Sequence, residues 1–291
     1  MSGVMESKNG YHVGLVLEGG GMRGIYTAGV LDCLMDYDVR VPYVVGTSAG
    51  ATTGLSYLSK QKNRSRYCDT DLMRMHNYIG LKPMIGGHGV IDMDFLFETF
   101  PDEYYPFDFE TYKASGSRMV MVASNALTGK PEYLEDYDNL ERFTAAARAS
   151  CSLPIMCPMG EVDGVPMVDG GVTDSIPFEK ALEDGCEKIV VVLTKEAGYR
   201  KTPGPIYLPS VIYRKYPELR ESLRVRNDAY NAQLDRLEEF AKSGRAYIMR
   251  PTDGCGVDRT TDDVDKLDAL YDHGYKQAQT QLKDIVAFIN S

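Results

Sequence analysis

The chain has 291 residues, 43% hydrophobic and 25% charged, the balance of a globular protein with a sizeable core and room for one large α/β domain or two small ones. Its formal net charge of −10 argues against nucleic acid as a main partner, which needs basic patches, and weakens stable docking on anionic lipid. No apolar segment nears the roughly 20 residues that span a bilayer, the start Met1 to Gly10 is polar, and the six cysteines include no C-x-x-C pair. A cytoplasmic protein with reduced thiols is expected, in which any lipid contact is peripheral.

Val13 to Leu17 reads as a first strand that runs into Glu18-Gly19-Gly20-Gly21-Met22-Arg23-Gly24, with a helix from about Ile25 to Met35. Val41 to Val45 reads as a second short buried strand. After Gly46-Thr47-Ser48-Ala49-Gly50, a helix of small residues runs from Ala49 to Leu58. This βαβα opening implies an α/β fold with a parallel sheet and helical crossovers. From Gln61 to Tyr112 the pattern is irregular and aromatic-rich, with helical pieces at Asp71 to Tyr78 and Met93 to Phe100 and a Gly86-Gly87-His88-Gly89 turn. Long insertions of this kind commonly cover or shape a site.

Arg118 to Ala123 and Pro131 to Leu134 form a strand pair, and Asn139 to Ala149 is a helix that ends at Cys151-Ser152-Leu153-Pro154. Asp163-Gly164 between Met159 to Val162 and Val165 to Val168 signals a hairpin. Pro177 to Asp184 is helical, and Lys188 to Leu193 is an apolar strand. Past Pro203-Gly204-Pro205, Leu219, Leu223, Tyr230, Leu234 and Leu237 keep helical spacing, read as a core-facing stripe rather than a membrane face. Arg245 to Met249 is a last strand and Asp263 to Ile289 a closing helix. With no repeat and no linker, one domain over 1–291 is expected, with a motif core at 13–193 and a helical and strand extension at 203–291.

Three motifs carry chemistry. Gly46 and Gly50 bracket Ser48 in the G-x-S-x-G pattern of a nucleophile elbow, where the glycines permit a tight strand-to-helix turn. The helix that follows aims unsatisfied N–H groups and its positive dipole end at any oxyanion beside that serine. Gly19-x-Gly21-x-x-Gly24 fits the dinucleotide fingerprint literally, but the second strand ends in Gly46-Thr47-Ser48, without the acidic residue that would hold a ribose. An anion nest of backbone N–H groups beside Ser48 is the better use of that loop.

A serine needs a base. The histidines are 12, 76, 88 and 273, and Ser48, Asp169 and His273 stand in the chain order of a hydrolase triad. Only one strand precedes the serine's own, however, and His273 falls inside a long helix. His88, in its glycine turn, is a weaker candidate, and His12 and His76 are unremarkable. Asp169-Gly170-Gly171, directly after the strand 166–168, is by itself a turn. No H-x-x-x-H or calcium-loop pattern points to a metal.

Taken together, a Gly-Gly-Gly-x-Arg-Gly loop after strand one, the elbow after strand two and the later Asp-Gly-Gly resemble the patatin-like phospholipase family, its bacterial members most of all. Ala147-Arg148-Ala149-Ser150-Cys151-Ser152-Leu153-Pro154 also looks like that family's Ser-x-Pro stretch. The resemblance covers about Val13 to Leu193; Gly171 stands where plant patatins carry Ala. It implies a three-layer α/β/α fold with a mainly parallel central sheet. It also implies Ser48 as nucleophile, Asp169 as general base of a Ser–Asp dyad, and an oxyanion hole from Gly19, Gly20, Gly21, Met22, Arg23 and Gly24. The expected activity is hydrolysis of fatty acyl esters through an acyl-serine, with a lipid substrate, transient contact with a membrane surface, no cofactor and no metal. A lipid transacylase and a lipid-binding regulatory protein with incidental esterase activity are the alternatives.

Overall fold

The computed structural model describes residues 6–7, 10–76, 78–80 and 89–291. Strands β1 (Val13–Leu17), β2 (Tyr43–Thr47), β3 (Arg118–Asn125) and β7 (Lys188–Val192) read as near-continuous apolar runs because both faces of their sheet are covered. Alternation along each strand divides these side chains between two cores. Leu15, Leu17, Val44, Val190 and Val192 pack on one face, and Val16, Val45, Val120, Ile189 and Val191 on the other.

With β4 (Pro131–Leu134), β5 (Gly160–Val162), β6 (Val165–Asp169) and β8 (Ala246–Met249), the sheet has eight strands in the order β8-β7-β1-β2-β3-β6-β5, with β4 on β3. The first five are parallel, whereas β4, β5 and β6 pair antiparallel with their neighbours. Helices α1 (Ile25–Asp36), α2 (Ala49–Leu58), α3 (Leu140–Cys151) and α6 (Val264–Asn290) feed the first core. Helices α4 (Phe178–Glu183) and α5 (Pro217–Ala241) feed the second. This is the expected three-layer arrangement. Leu219, Leu223, Tyr230, Leu234 and Leu237 of α5 are all buried, so its apolar stripe is a core face.

α6 lies on α1 with their backbones nearly touching. A Cβ at Gly29 would sit 2.2 Å from Tyr271 O, and one at Gly274 would sit 2.3 Å from Tyr26 O. Only glycine admits that crossing.

Among the differences from the sequence expectation, two have a clear local cause. β2 begins at Tyr43, not Val41, because Pro42 has no N–H and the Val41 N–H donates to Tyr57 Oη at 2.9 Å instead of to a ladder. The piece expected from Met93 to Phe100 is a wide π-type helix over Phe95–Tyr104, with Pro101 inside it and the Tyr105 N–H reaching back to Phe100 O at 3.0 Å. Short helices at Arg64–Asp69 and Phe109–Ala114 were not expected. The turn expected at 86–89 lies outside the described residues save for its last.

Candidate active site

The register of β3 brings two strand ends together. Thr47 of β2 pairs with Val122 and Asp169 of β6 with Ala123, so Ser48 and Asp169 leave the sheet side by side. Ser48 sits between β2 and α2 at φ 55° and ψ −125°, a backbone state that side chains other than glycine rarely adopt. Such strain costs on the order of 1–3 kcal/mol and persists only where the surroundings enforce it. Here close packing enforces it: a Cβ on Gly46 would lie 2.7 Å from Gly50 C, and one on Gly50 would lie 2.4 Å from Leu17 O.

The stretch Ala147 to Pro154 acts as a bracket for both residues. Ser150 Oγ accepts the Ser48 N–H at 2.9 Å and donates to Val122 O at 2.6 Å, while Ser152 O accepts the Asp169 N–H at 2.8 Å. Asp169 Oδ1 accepts the Gly171 N–H at 2.7 Å, and Oδ2 is buried with no completed hydrogen bond. Burial pushes the carboxyl above the ordinary carboxylate range. The nearby Ser48 hydroxyl, the Arg226 charge, the Gly171 N–H and the Arg259 charge oppose that rise without cancelling it. Ser48 is itself 5% exposed and Asp169 2%.

The glycine loop runs beside the serine, where a Cβ on Gly19 would stand 3.3 Å from Ser48 Cβ. Its N–H groups are not all free. Gly19 donates to Ser175 O at 3.3 Å and Met22 to Arg259 O at 3.2 Å. Gly21 to Gly24 form one tight 3-10 turn that leads into α1. Beneath the loop, Glu18 continues on the Val16 face of β1 and meets α5. It is fully buried and accepts from Tyr230 Oη at 2.8 Å, the Thr194 N–H at 2.6 Å, Thr194 Oγ1 at 3.0 Å and Lys195 Nζ. Burial alone would push its carboxyl up, but Lys195 and these donors hold it ionised.

Two cavities open on Ser48. One, of about 180 Å³, is lined mainly by apolar side chains of α2, α3 and the aromatic insertion, among them Leu55, Ile91, Met93, Leu96, Phe97 and Phe143. Arg64, Asp69 and Arg259 are charged exceptions in its wall; burial pushes the Asp69 carboxyl up to about 7. The other, of about 20 Å³, is polar and holds Gly19, Gly20, Gly21, Asp169 and a group of basic side chains.

No histidine among the described residues lines either cavity. His273 lies within α6 beside Thr252 Oγ1 at 3.1 Å, His12 pairs with Glu187, and His76 packs on Phe95 and Tyr104. His88 lies outside the described residues. Sequence reasoning missed Glu18, the bracketing role of Ser150 and, of the polar cavity's basic side chains, all but Arg23; of these only Glu18, a carboxylate directly after an apolar strand, carried a local signal.

The sheet, the strained turn at Ser48 and the glycine loop define an α/β fold with a serine held at a strand-to-helix junction. The family model described as patatin-like phospholipase matches residues 15–182, more than half the sequence, and the chain belongs to that family. A second model, a domain of unknown function (DUF6363), matches residues 216–290. The chain is similar to the uncharacterized protein YjjU of Escherichia coli K12, 29% identical over 197 residues, 66% of this chain and 54% of that protein. It is also similar to the lysophospholipase NTE1 of Saccharomyces cerevisiae, 24% identical over 96% of this chain but 17% of that protein. This chain thus spans about half of one relative and under a fifth of the other. Among solved structures, VipD from Legionella pneumophila shares the fold, with a TM-score of 0.52 at 14% identity, covering 94% of this chain and 67% of VipD.

Proposed function

We propose that the protein is a serine acyl hydrolase that cleaves fatty acyl esters through an acyl-serine, with Ser48 and Asp169 as its dyad. The reading rests above all on one juxtaposition, an elbow serine beside a buried aspartate whose Oδ2 has no completed hydrogen bond. Asp169 takes the hydroxyl proton as Ser48 Oγ attacks the ester carbonyl. The oxyanion forms against N–H groups of the glycine loop; Gly20 and Gly21 are favoured, since Gly19 and Met22 already donate elsewhere. As the carbonyl reforms, the C–O bond to the alcohol breaks and Asp169 returns the proton to the leaving oxygen. Water then repeats the sequence on the acyl-serine: its proton goes to Asp169, its oxygen to the acyl carbon, and Ser48 leaves protonated.

The larger cavity suits the acyl chain, because apolar walls adjoin the nucleophile. The family membership and the lysophospholipase relative support a lipid ester as substrate. In Ser48→Ala, fluorophosphonate labelling should disappear and p-nitrophenyl ester turnover should fall by about 10⁴-fold or more. Labelling that survives the substitution would overturn the assignment. Turnover with added glycerol or lysolipid, with acyl products read by mass spectrometry, separates hydrolysis from transfer to an alcohol.

A further inference from the structure

Five basic side chains line the small polar cavity beside Ser48: Arg23, Lys195, Lys201, Arg226 and Arg259. In a chain of net charge −10 this is a local reversal of sign. Two have acidic neighbours outside the cavity: Lys195 pairs with buried Glu18, and Arg23 acts on Asp258. The other three face one another, with Asp169 beside Arg226 and Arg259, and Glu18 acting on Lys201. Arg226 gives its Nε–H to Gly171 O at 2.8 Å, and among the described residues it makes no salt bridge, although the Asp169 charge acts on it. Neither the Arg259 guanidinium nor the Lys201 ammonium has a hydrogen-bond or ion-pair partner among the described residues; Lys201 rests on the face of the Tyr230 ring, 4.0 Å from its centre.

Cations gathered this way repel. Burial, followed by the charges of Arg226, Lys195 and Arg259, lowers Lys201 to about 6 against the pull of Glu18. Burial and Arg259 likewise lower Arg226 to about 10. A fold that keeps such a group beside Ser48 creates a positive potential there that attracts negative charge. All three residues lie beyond the patatin match at 15–182, and two of them, Arg226 and Arg259, lie in the 216–290 segment of unknown function.

We propose that Lys201, Arg226 and Arg259 form an anion subsite that receives a phosphate group of the substrate in the polar cavity beside Ser48, with Arg259 at the border with the acyl cavity, so that the C-terminal segment sets selectivity for anionic over neutral esters. This rests on the hydrolase reading above. A cavity of about 20 Å³ admits a group about the size of one water, so phosphate oxygens enter while the rest of the headgroup stays outside. Arg259 and Arg226 present guanidinium groups, suited to phosphate oxygens, and an arriving anion restores the proton on Lys201.

The test compares two water-soluble short-chain esters, kept below their micelle concentration so that no interface contributes: a monoacyl glycerophosphoglycerol and the monoacylglycerol with the same acyl chain. Wild type should favour the anionic ester. In Arg259→Gln the ratio of kcat/KM, anionic over neutral, should fall by about tenfold or more, chiefly through KM, and Arg259→Lys should recover part of it. Lys201→Gln is the second variant. Both side chains can change while the main chain stays anchored, since the Arg259 carbonyl holds Met22 and the Lys201 backbone is held by Asn231.

An unchanged ratio in both variants, with both esters hydrolysed, overturns the subsite alone. Competition by inorganic phosphate without a change in the ester ratio would mark a free-anion site and overturn the headgroup assignment. Hydrolysis of neither ester, with Ser48 unlabelled, would overturn the hydrolase reading and the subsite with it.

Discussion

Asp169 is the group whose protonation governs the proposed reaction, and its surroundings set the pH at which it works. Burial is the largest influence and raises its pKa, while Ser48, Arg226, the Gly171 N–H and Arg259 lower it by less. A base must be unprotonated. On short-chain esters kcat/KM should therefore rise with pH along a limb lying above the ordinary carboxylate value of about 3.9. Arg259→Gln removes a lowering influence, so the limb should move to higher pH; movement to lower pH would contradict the assignment. Ser150 offers a second check. Ser150→Ala leaves the Ser48 N–H and Val122 O without their partner, which should cost about 1–3 kcal/mol in thermal unfolding and lower kcat more than it raises KM. Ser48 stands out in the sequence as a serine between glycines at a strand-to-helix junction, whereas Asp169-Gly170-Gly171 reads as a turn and takes its role only from the resemblance. Ser150 belongs to the resembling stretch 147–154 and carries no signal of its own. Lys201, Arg226 and Arg259 had no local pattern at all, since the path of the chain alone brings them to the serine.

Among the elements, the crossing of α1 and α6 ties the C-terminal segment to the helix that follows the glycine loop. Alanine at position 274 gains about 1 kcal/mol of helix propensity over glycine. Its Cβ, however, would stand 2.3 Å from the Tyr26 carbonyl, a backbone atom that cannot step aside. The clash should win, with Gly274→Ala losing about 1–3 kcal/mol measured as a lower urea midpoint. A rise in the midpoint would mean the helices separate freely. Sequence periodicity located β1, α1, α2, α5 and α6 because apolar spacing in these segments records burial. It failed in the insertion, where Pro101 replaces the α-helical ladder with a wider one, and at β2, where Val41 gives its N–H to a tyrosine hydroxyl. Such exchanges of partner leave the hydrophobic pattern unaltered.

On the scale of the whole molecule, the sheet interleaves distant parts of the chain. β1 has β2 on one side and β7 on the other, with Leu17 paired to both Gly46 and Val192, and β8 closes the edge beyond β7. The α/β class and the parallel opening were legible because strand, loop and helix alternate; the place of the last strand was not, since pairing order is decided by packing over long separations. This order has a consequence for synthesis. During translation the first strand emerges before β7 and then has only one lateral neighbour. The buried carboxylate that ends β1 waits for Lys195 and Tyr230 before its charge is compensated. A nascent or truncated chain therefore carries the elbow sequence without the conformation that would make it reactive, and long-range closure makes folding slow relative to local helix formation. On the hydrolase reading proposed above, an unfinished copy lacks the assembled site that would attack an ester.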